Sequence, residues 1–278
     1  DWQRAFQHEV GQATAKAFDA RGELYYTKES FDLLYPSYGD TYPIFNGAIG
    51  MTYEQGGSGG AGVLVETSQG NLLSLNERIA NHVESSLQAV YTSARLAENL
   101  VDEWGAFYDR NRTQPIGRFA GYLIPKTEDN AARIERLIQF LDGHGVITES
   151  VDKDQKSVTG WEYGIGQKRT VRPQAGDLVI SSYQTHSSIL DVLFDPDPVL
   201  SDSLTYDITT WSVPFAYGLR TFGLDAPIIG KPHITSETPS IQSEAFGFAF
   251  KRTGDQDSPL MAQLLSGGFT LRTNAKSF

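Results

Sequence analysis

Gly121-Tyr122-Leu123-Ile124-Pro125, then Ile134, Leu137, Ile138 and Leu141, then Gly143-His144-Gly145 and Val146-Ile147-Thr148: this run over residues 121–148 decides the fold class. Its first four residues are small or apolar and a proline closes them, which reads as a buried strand. The spacing of three and four in the next apolar group predicts a helix, and the two glycines around His144 end it before a new strand begins. A weaker copy of the same order lies near the end of the chain. There Gly247-Phe248-Ala249-Phe250 is strand-like, Leu260, Met261, Leu264 and Leu265 suggest a helix, and Gly267-Gly268 leads into Phe269-Thr270-Leu271. Two strand–helix–glycine–strand units predict an α/β fold with parallel strands and right-handed crossovers. Between the units, Asp177–Ser181 is predicted as a buried strand and residues 207–214 lead into a short apolar helix or turn. Residues 225–243, rich in Pro, Ser and Thr, read as an ordered loop or connecting arm.

Upstream of that run the chain has a different character. Trp2, Phe6, Val10, Ala13, Ala17 and Phe18 recur at helical spacing, and Arg21-Gly22 closes that helix. Tyr25-Tyr26-Thr27 looks like a short strand. Residues 35–47 carry Pro36, Gly39, Pro43, Asn46 and Gly47 and predict an irregular, ordered loop. Ala48–Tyr53 reads as a buried strand with Glu54 at its end, followed by the glycine-rich Gly56–Gly60. Gly62–Thr67 reads as a further strand. Ser74-Leu75-Asn76-Glu77 is a capping box, and the helix it opens is predicted to run to about Trp104 with Ile79, Val83, Leu87, Val90, Ala94 and Val101 as its core stripe. The polar residues 108–116 mark the best domain boundary, giving domains 1–112 and 113–278, the second incomplete at its C-terminus.

Composition removes several classes of function. A formal net charge of −11 over 278 residues repels phosphate backbones and anionic lipid, so no nucleic-acid partner is expected. The absence of cysteine excludes disulfides, thiolate metal sites and cysteine nucleophiles. No apolar run approaches the ~20 residues of a membrane helix, so no membrane insertion is expected. Asp1-Trp2-Gln3-Arg4 reads as the middle of a helix, and the chain as a piece of a longer protein, with no visible targeting signal.

The histidines are His8, His82, His144, His186 and His233; none pairs along a helix face or falls in a His-x-x-Glu motif, so the chain offers no metal site of its own. No Walker loop and no Gly-x-Ser-x-Gly elbow is present. What remains is Glu54, a carboxylate at the end of an apolar stretch before a glycine-rich loop. Such a group is either an exposed strand-end glutamate or one held ready as a general base.

The stretch Tyr35-Pro36-Ser37-Tyr38-Gly39-Asp40 through Asn46-Gly47-Ala48-Ile49-Gly50-Met51-Thr52-Tyr53-Glu54-Gln55 resembles the end of the zinc carboxypeptidase catalytic domain, carboxypeptidase A-like with the funnelin fold. Gly121–Pro125, Asp202–Asp207 and Trp211–Leu219 resemble a bacterial subgroup in which that domain precedes a flavodoxin-like domain similar to class I glutamine amidotransferases. The resemblance covers nearly the whole chain. It implies a peptide substrate cut from its C-terminus, with Glu54 as general base and acid. It further implies Tyr38 as the substrate-capping tyrosine, Tyr35 being the alternative, and a periplasmic or secreted location. The zinc ligands and the residues holding the substrate carboxylate have no counterpart here, so zinc would be held by a segment outside this chain. The second domain lacks a cysteine nucleophile and is expected to be a structural or binding domain. The rival expectation is a non-catalytic binding module of a degenerate peptidase homologue. Under either reading, apolar surface on the helix at residues 1–20 is expected to be exposed or paired with another chain, as in a homo-oligomer.

Overall fold

A computed structural model describes residues 2–26, 35–55, 63–67, 70–199, 212–233, 247–250 and 257–273. Thr27, Gly56–Gly60, Asp202–Asp207 and Trp211, used in the sequence reading, lie outside the described residues, as does most of residues 225–243. The chain divides into two compact units, one from residue 1 to 113 with 197–211, the other from 114 to 196 with 212–278.

The first unit opens with α1 (Trp2–Arg21), which buries Phe6, Val10, Thr14 and Phe18, one residue per turn along a single stripe. Gly22, at φ 71°, turns the chain out of the helix. A 3-10 turn (Tyr42–Asn46) follows, then a small antiparallel hairpin of β1 (Leu64–Glu66) and β2 (Leu72–Ser74). α2 (Leu75–Arg95) begins at the capping box. Ser74 Oγ accepts from the Glu77 N–H at 3.2 Å, and the Glu77 carboxylate accepts from the Ser74 N–H at 2.7 Å. Those bonds hold the Glu77 carboxyl below the usual carboxylate range. One irregular residue, Leu96, separates α2 from α3 (Ala97–Thr113).

α1 and α2 pack antiparallel: Glu9 meets Arg95 at 2.7 Å at one end and Arg21 meets Asn81 at 3.2 Å at the other. The face of α2 that is buried is the polar one, Asn81, Ser85 and Thr92. Ser85 Oγ donates to the Asn81 carbonyl at 2.9 Å, so its hydroxyl is satisfied by its own helix. The expected core stripe lies on the other side. Ile79, Val83, Leu87, Val90 and Val101 are 40–66% exposed. The apolar spacing expected to form a core stripe is thus largely exposed, and the helix face that packs on α1 is the polar one.

The second unit contains β3 (Gly121–Ile124), α4 (Ala131–Gly143), β4 (Glu149–Ser150), β5 (Val158–Glu162), β6 (Gln167–Val171), β7 (Leu178–Ser181), α5 (Ser187–Phe194), α6 (Val213–Ala216), β8 (Phe222–Leu224), β9 (Lys231–Pro232) and α7 (Asp257–Ser266). Seven strands form one sheet in the order β6-β5-β8-β3-β7-β4-β9, and every pair is antiparallel. This corrects the parallel sheet expected from the sequence. The helical crossover α4 does bring β4 back running the same way as β3, but β7 lies between them and is antiparallel to both. The return direction after α4 agrees with the sequence reading, but the adjacency does not, and the strand lies at Glu149–Ser150 and not at the expected Val146–Thr148, which is irregular. The later unit does not form: Phe248 and Phe250 are exposed and irregular, and residues 269–271 carry no strand. A strand needs a partner edge, and the ladders on β6 and β9 show none taken from that region.

β3 is buried on both sides, which accounts for its unbroken Tyr122-Leu123-Ile124 run. Leu123, Val151, Val179, Phe222, Leu224 and Ile228 form a core cluster on one face. On the other, the Tyr122 ring lies 4.8 Å from that of Phe194 of α5. β6, by contrast, is an outer strand, nearly all exposed, carrying Lys168 and Arg169. Asp177 staples the sheet at the head of β7. Its carboxylate accepts from the N–H groups of Lys126 and Gln174, both at 2.8 Å, while burial pushes its carboxyl up.

Candidate functional site

Glu54, Tyr38 and Tyr35 all belong to the segment 35–55 of the first unit. That segment is irregular around its 3-10 turn, and residues 48–55 form no strand. The strand predicted at Ala48–Tyr53 is replaced by side-chain anchoring. Gln3 Nε2 donates to the carbonyls of Ile44 at 2.9 Å and Ala48 at 2.5 Å, and Gln7 Nε2 donates to the Gly50 carbonyl at 2.6 Å. Amides one helical turn apart on α1 thus take up carbonyls that a sheet partner would otherwise hold. Tyr108 of α3 adds a bond from its hydroxyl to the Asn46 carbonyl at 2.9 Å.

Within the segment the chain doubles back on itself. A side chain at Gly50 would put its first carbon 1.7 Å from the Asp40 carbonyl oxygen, so only glycine permits this approach. The Asp40 carboxylate accepts from the Thr52 hydroxyl across the same closure. Tyr38 begins the turn into the 3-10 helix, its carbonyl accepting from the Tyr42 N–H at 2.9 Å. The rings of Tyr35 and Tyr38 meet edge to face, 5.2 Å between centroids, so both half-buried tyrosines are fixed against each other.

Glu54 is exposed and its carboxylate has no hydrogen-bond or ion-pair partner among the described residues. It is free to meet a solvent molecule or a ligand. Three residues earlier, Met51 lines a groove of about 420 Å³ whose other walls include Trp2, Phe6, Leu100, Val101 and Trp104. The groove is apolar, with Gly47, Ala48, Ile49 and Ser93 completing its lining.

Among the described residues no three His, Asp or Glu side chains are gathered to hold a metal. The residues present therefore do not fit a zinc site on their own, and no chemical step at zinc follows from them. Also among the described residues, no helix is long and apolar enough to cross a membrane. Compared with protein families, curated proteins and solved structures, the chain matches none.

Gln3 and Gln7 were missed in the sequence. Their signal was present, two amides four apart on the helix face beside the apolar stripe. A second missed feature lies in the other unit, where Asp191 and Asp195 stand four apart at the end of α5. Burial and the neighbouring Asp195 charge push the Asp191 carboxyl up to about 6.

Proposed function

We propose that the first unit is the C-terminal part of a zinc carboxypeptidase-like catalytic domain, in which Glu54 is the general base and acid for peptide hydrolysis. What carries this reading is the run Tyr35–Gln55, which resembles the end of that domain; the Glu54 carboxylate within it is open to solvent. In that role Glu54 takes a proton from the attacking water and returns it to the departing amine of the cleaved peptide. Tyr38, with Tyr35 as the alternative, would close over the substrate. Zinc would be held by ligands from outside this chain, and the second unit, whose sheet is antiparallel throughout and so departs from the parallel amidotransferase-like sheet, would act as a structural or binding domain. The family resemblance goes with a periplasmic or secreted location.

Two measurements test this. Dialysed against Zn²⁺, the 278-residue chain is expected to retain no stoichiometric tightly bound metal. One zinc per chain would overturn the reading that the ligands lie elsewhere. In a polypeptide that supplies those ligands, Glu54→Gln is expected to lower kcat by about 10²–10⁴-fold with little change in KM. Unchanged turnover would remove Glu54 from the chemistry.

A second reading, a non-catalytic interaction module, is favoured by a separate observation. Ile79, Val83, Leu87, Val90, Val101 and Trp104 leave a continuous apolar face open on α2 and α3. On that reading Glu54→Gln changes nothing, while charged substitutions at Val83 and Val90 abolish binding.

A further inference from the structure

The second unit holds a hydrogen-bonded chain of three side chains that the reading above does not use. Ser150 ends β4, Glu135 projects from α4, and His233 directly follows β9. They are far apart in sequence and meet on one face of the sheet. Ser150 Oγ lies 3.0 Å from His233 Nδ1, and His233 Nε2 lies 3.2 and 3.3 Å from the two carboxylate oxygens of Glu135. A carboxylate only accepts, so Nε2 carries the ring proton and Nδ1 is left to accept from the serine hydroxyl. The His233 side chain is 12% exposed and that of Glu135 21%, so the pair is largely withdrawn from solvent, while Ser150 keeps partial exposure.

We propose that Ser150, His233 and Glu135 form a nucleophilic acyl-transfer site whose substrates are carboxylic esters. A nucleophile bonded to a base, itself oriented by a third group, is the arrangement that such chemistry requires, whatever the chain order. Here the two ring nitrogens have exchanged their usual partners, which leaves the roles intact. Ser150 Oγ forms a bond to the ester carbonyl carbon as its proton passes to His233 Nδ1. The carbon–oxygen bond to the alcohol then breaks, and the departing alkoxide takes the proton from Nδ1. Water repeats the sequence, releasing the acid and restoring the Ser150 hydroxyl. Glu135 touches neither substrate nor reacting atoms and is a positioning residue.

The surroundings limit the reaction. β4 runs between β7 and β9, so the backbone groups at Ser150 are directed into the two ladders, and the Val151 N–H donates to the Asp177 carbonyl at 2.9 Å. Among the described residues, no pair of backbone donors is left at Ser150 to hold an oxyanion. Losing one such donor costs about 10²–10³-fold in rate, so activated esters and phosphorylating reagents are within reach and amides are not. The charges near His233 are Glu135 and Lys126, 3.9 Å apart, with Lys231 paired to Asp152 at 2.7 Å and Glu149 holding the Gly230 N–H at 2.8 Å.

The test is labelling of the whole chain with diisopropyl fluorophosphate, in which Ser150 Oγ displaces fluoride from phosphorus. Mass spectrometry of the digested protein is expected to place one adduct per chain on Ser150, with p-nitrophenyl acetate hydrolysis lost in parallel. Ser150→Ala should abolish both, and His233→Asn should slow labelling by about 10²-fold. Glu135→Gln should slow labelling and move its pH profile to lower pH, a change that a purely structural bond would not cause. Folded wild-type protein that takes up no label on Ser150 overturns the proposal, whatever the variants do. Equal labelling of wild type and a folded His233→Asn overturns it as well. Neither result bears on Glu54, which lies in the other unit.

Discussion

Asp191 sits in the second half of α5 with its carboxylate against Gly117, so close that a methyl group there would overlap Oδ1 at 1.6 Å. Gly117 has φ +83°, a second reason why only glycine serves. Half-buried and one turn from Asp195, the carboxyl is pushed by desolvation and that charge from 3.8 up to about 6. The sign follows from linkage. The folded state keeps the proton to higher pH than the unfolded chain, so this group's contribution to stability is complete below pH 4 and is lost as pH rises through 6. At about 1.4 kcal/mol per tenfold change in the protonation equilibrium, the loss amounts to roughly 3 kcal/mol. Asp191→Asn removes the charge while keeping the shape. The variant is expected to match wild type near pH 4 and to exceed it by roughly 3 kcal/mol at pH 7.5. The assay is urea unfolding read through Trp161, with Trp2, Trp104 and Trp211 replaced by Phe so that only the second unit reports. A pH-independent difference between the two proteins, or a wild type that gains on Asp191→Asn between pH 4 and 7, would refute the reasoning.

Other substitutions probe the packing described above. Tyr163 is buried and its hydroxyl donates to the Phe194 carbonyl at 2.5 Å, so Tyr163→Phe should cost about 1–2 kcal/mol by leaving that carbonyl bare, measured by denaturant midpoint. Ser74→Ala should cost about 1 kcal/mol and lower the helical circular dichroism signal of the first unit. Leu137, fully buried on α4, should cost about 2–5 kcal/mol on truncation to Ala. Val83→Ser, at 53% exposure, should stay within about 0.5 kcal/mol of wild type, although the sequence marks it as core.

The legible parts of this fold are those decided by local chemistry. α1, the capping box at Ser74–Glu77, α4 with its Gly143–Gly145 stop, and the buried runs at Gly121–Ile124 and Leu178–Ser181 all follow from periodicity or caps. What escaped was decided at long range. Nothing near β3 says that β7 rather than β4 lies beside it, because strand neighbours are chosen by the whole set of connections. The hairpin of β5 and β6 and the buried α5 were also passed over. Segment 48–55 has the composition of a strand, yet two glutamines from α1 take the place of a pairing edge. At the candidate sites, Glu54 stood out through its local context. Ser150, Glu135 and His233 did not, since residues 98 apart announce no contact.

The outer strand β6 has a consequence for how copies of this protein meet. If two molecules joined edge to edge, antiparallel and in register, residues 167–171 of one would lie against 171–167 of the other. Arg169 would then face its own counterpart at the centre of the joint. Two like charges directly opposite each other oppose such pairing, so this residue guards the sheet against joining a second copy edge to edge. The guard is electrostatic. In concentrated salt, where charges more than about 3 Å apart are screened, or with Arg169 replaced by Val, the edge becomes adhesive and turbidity in storage is the expected sign.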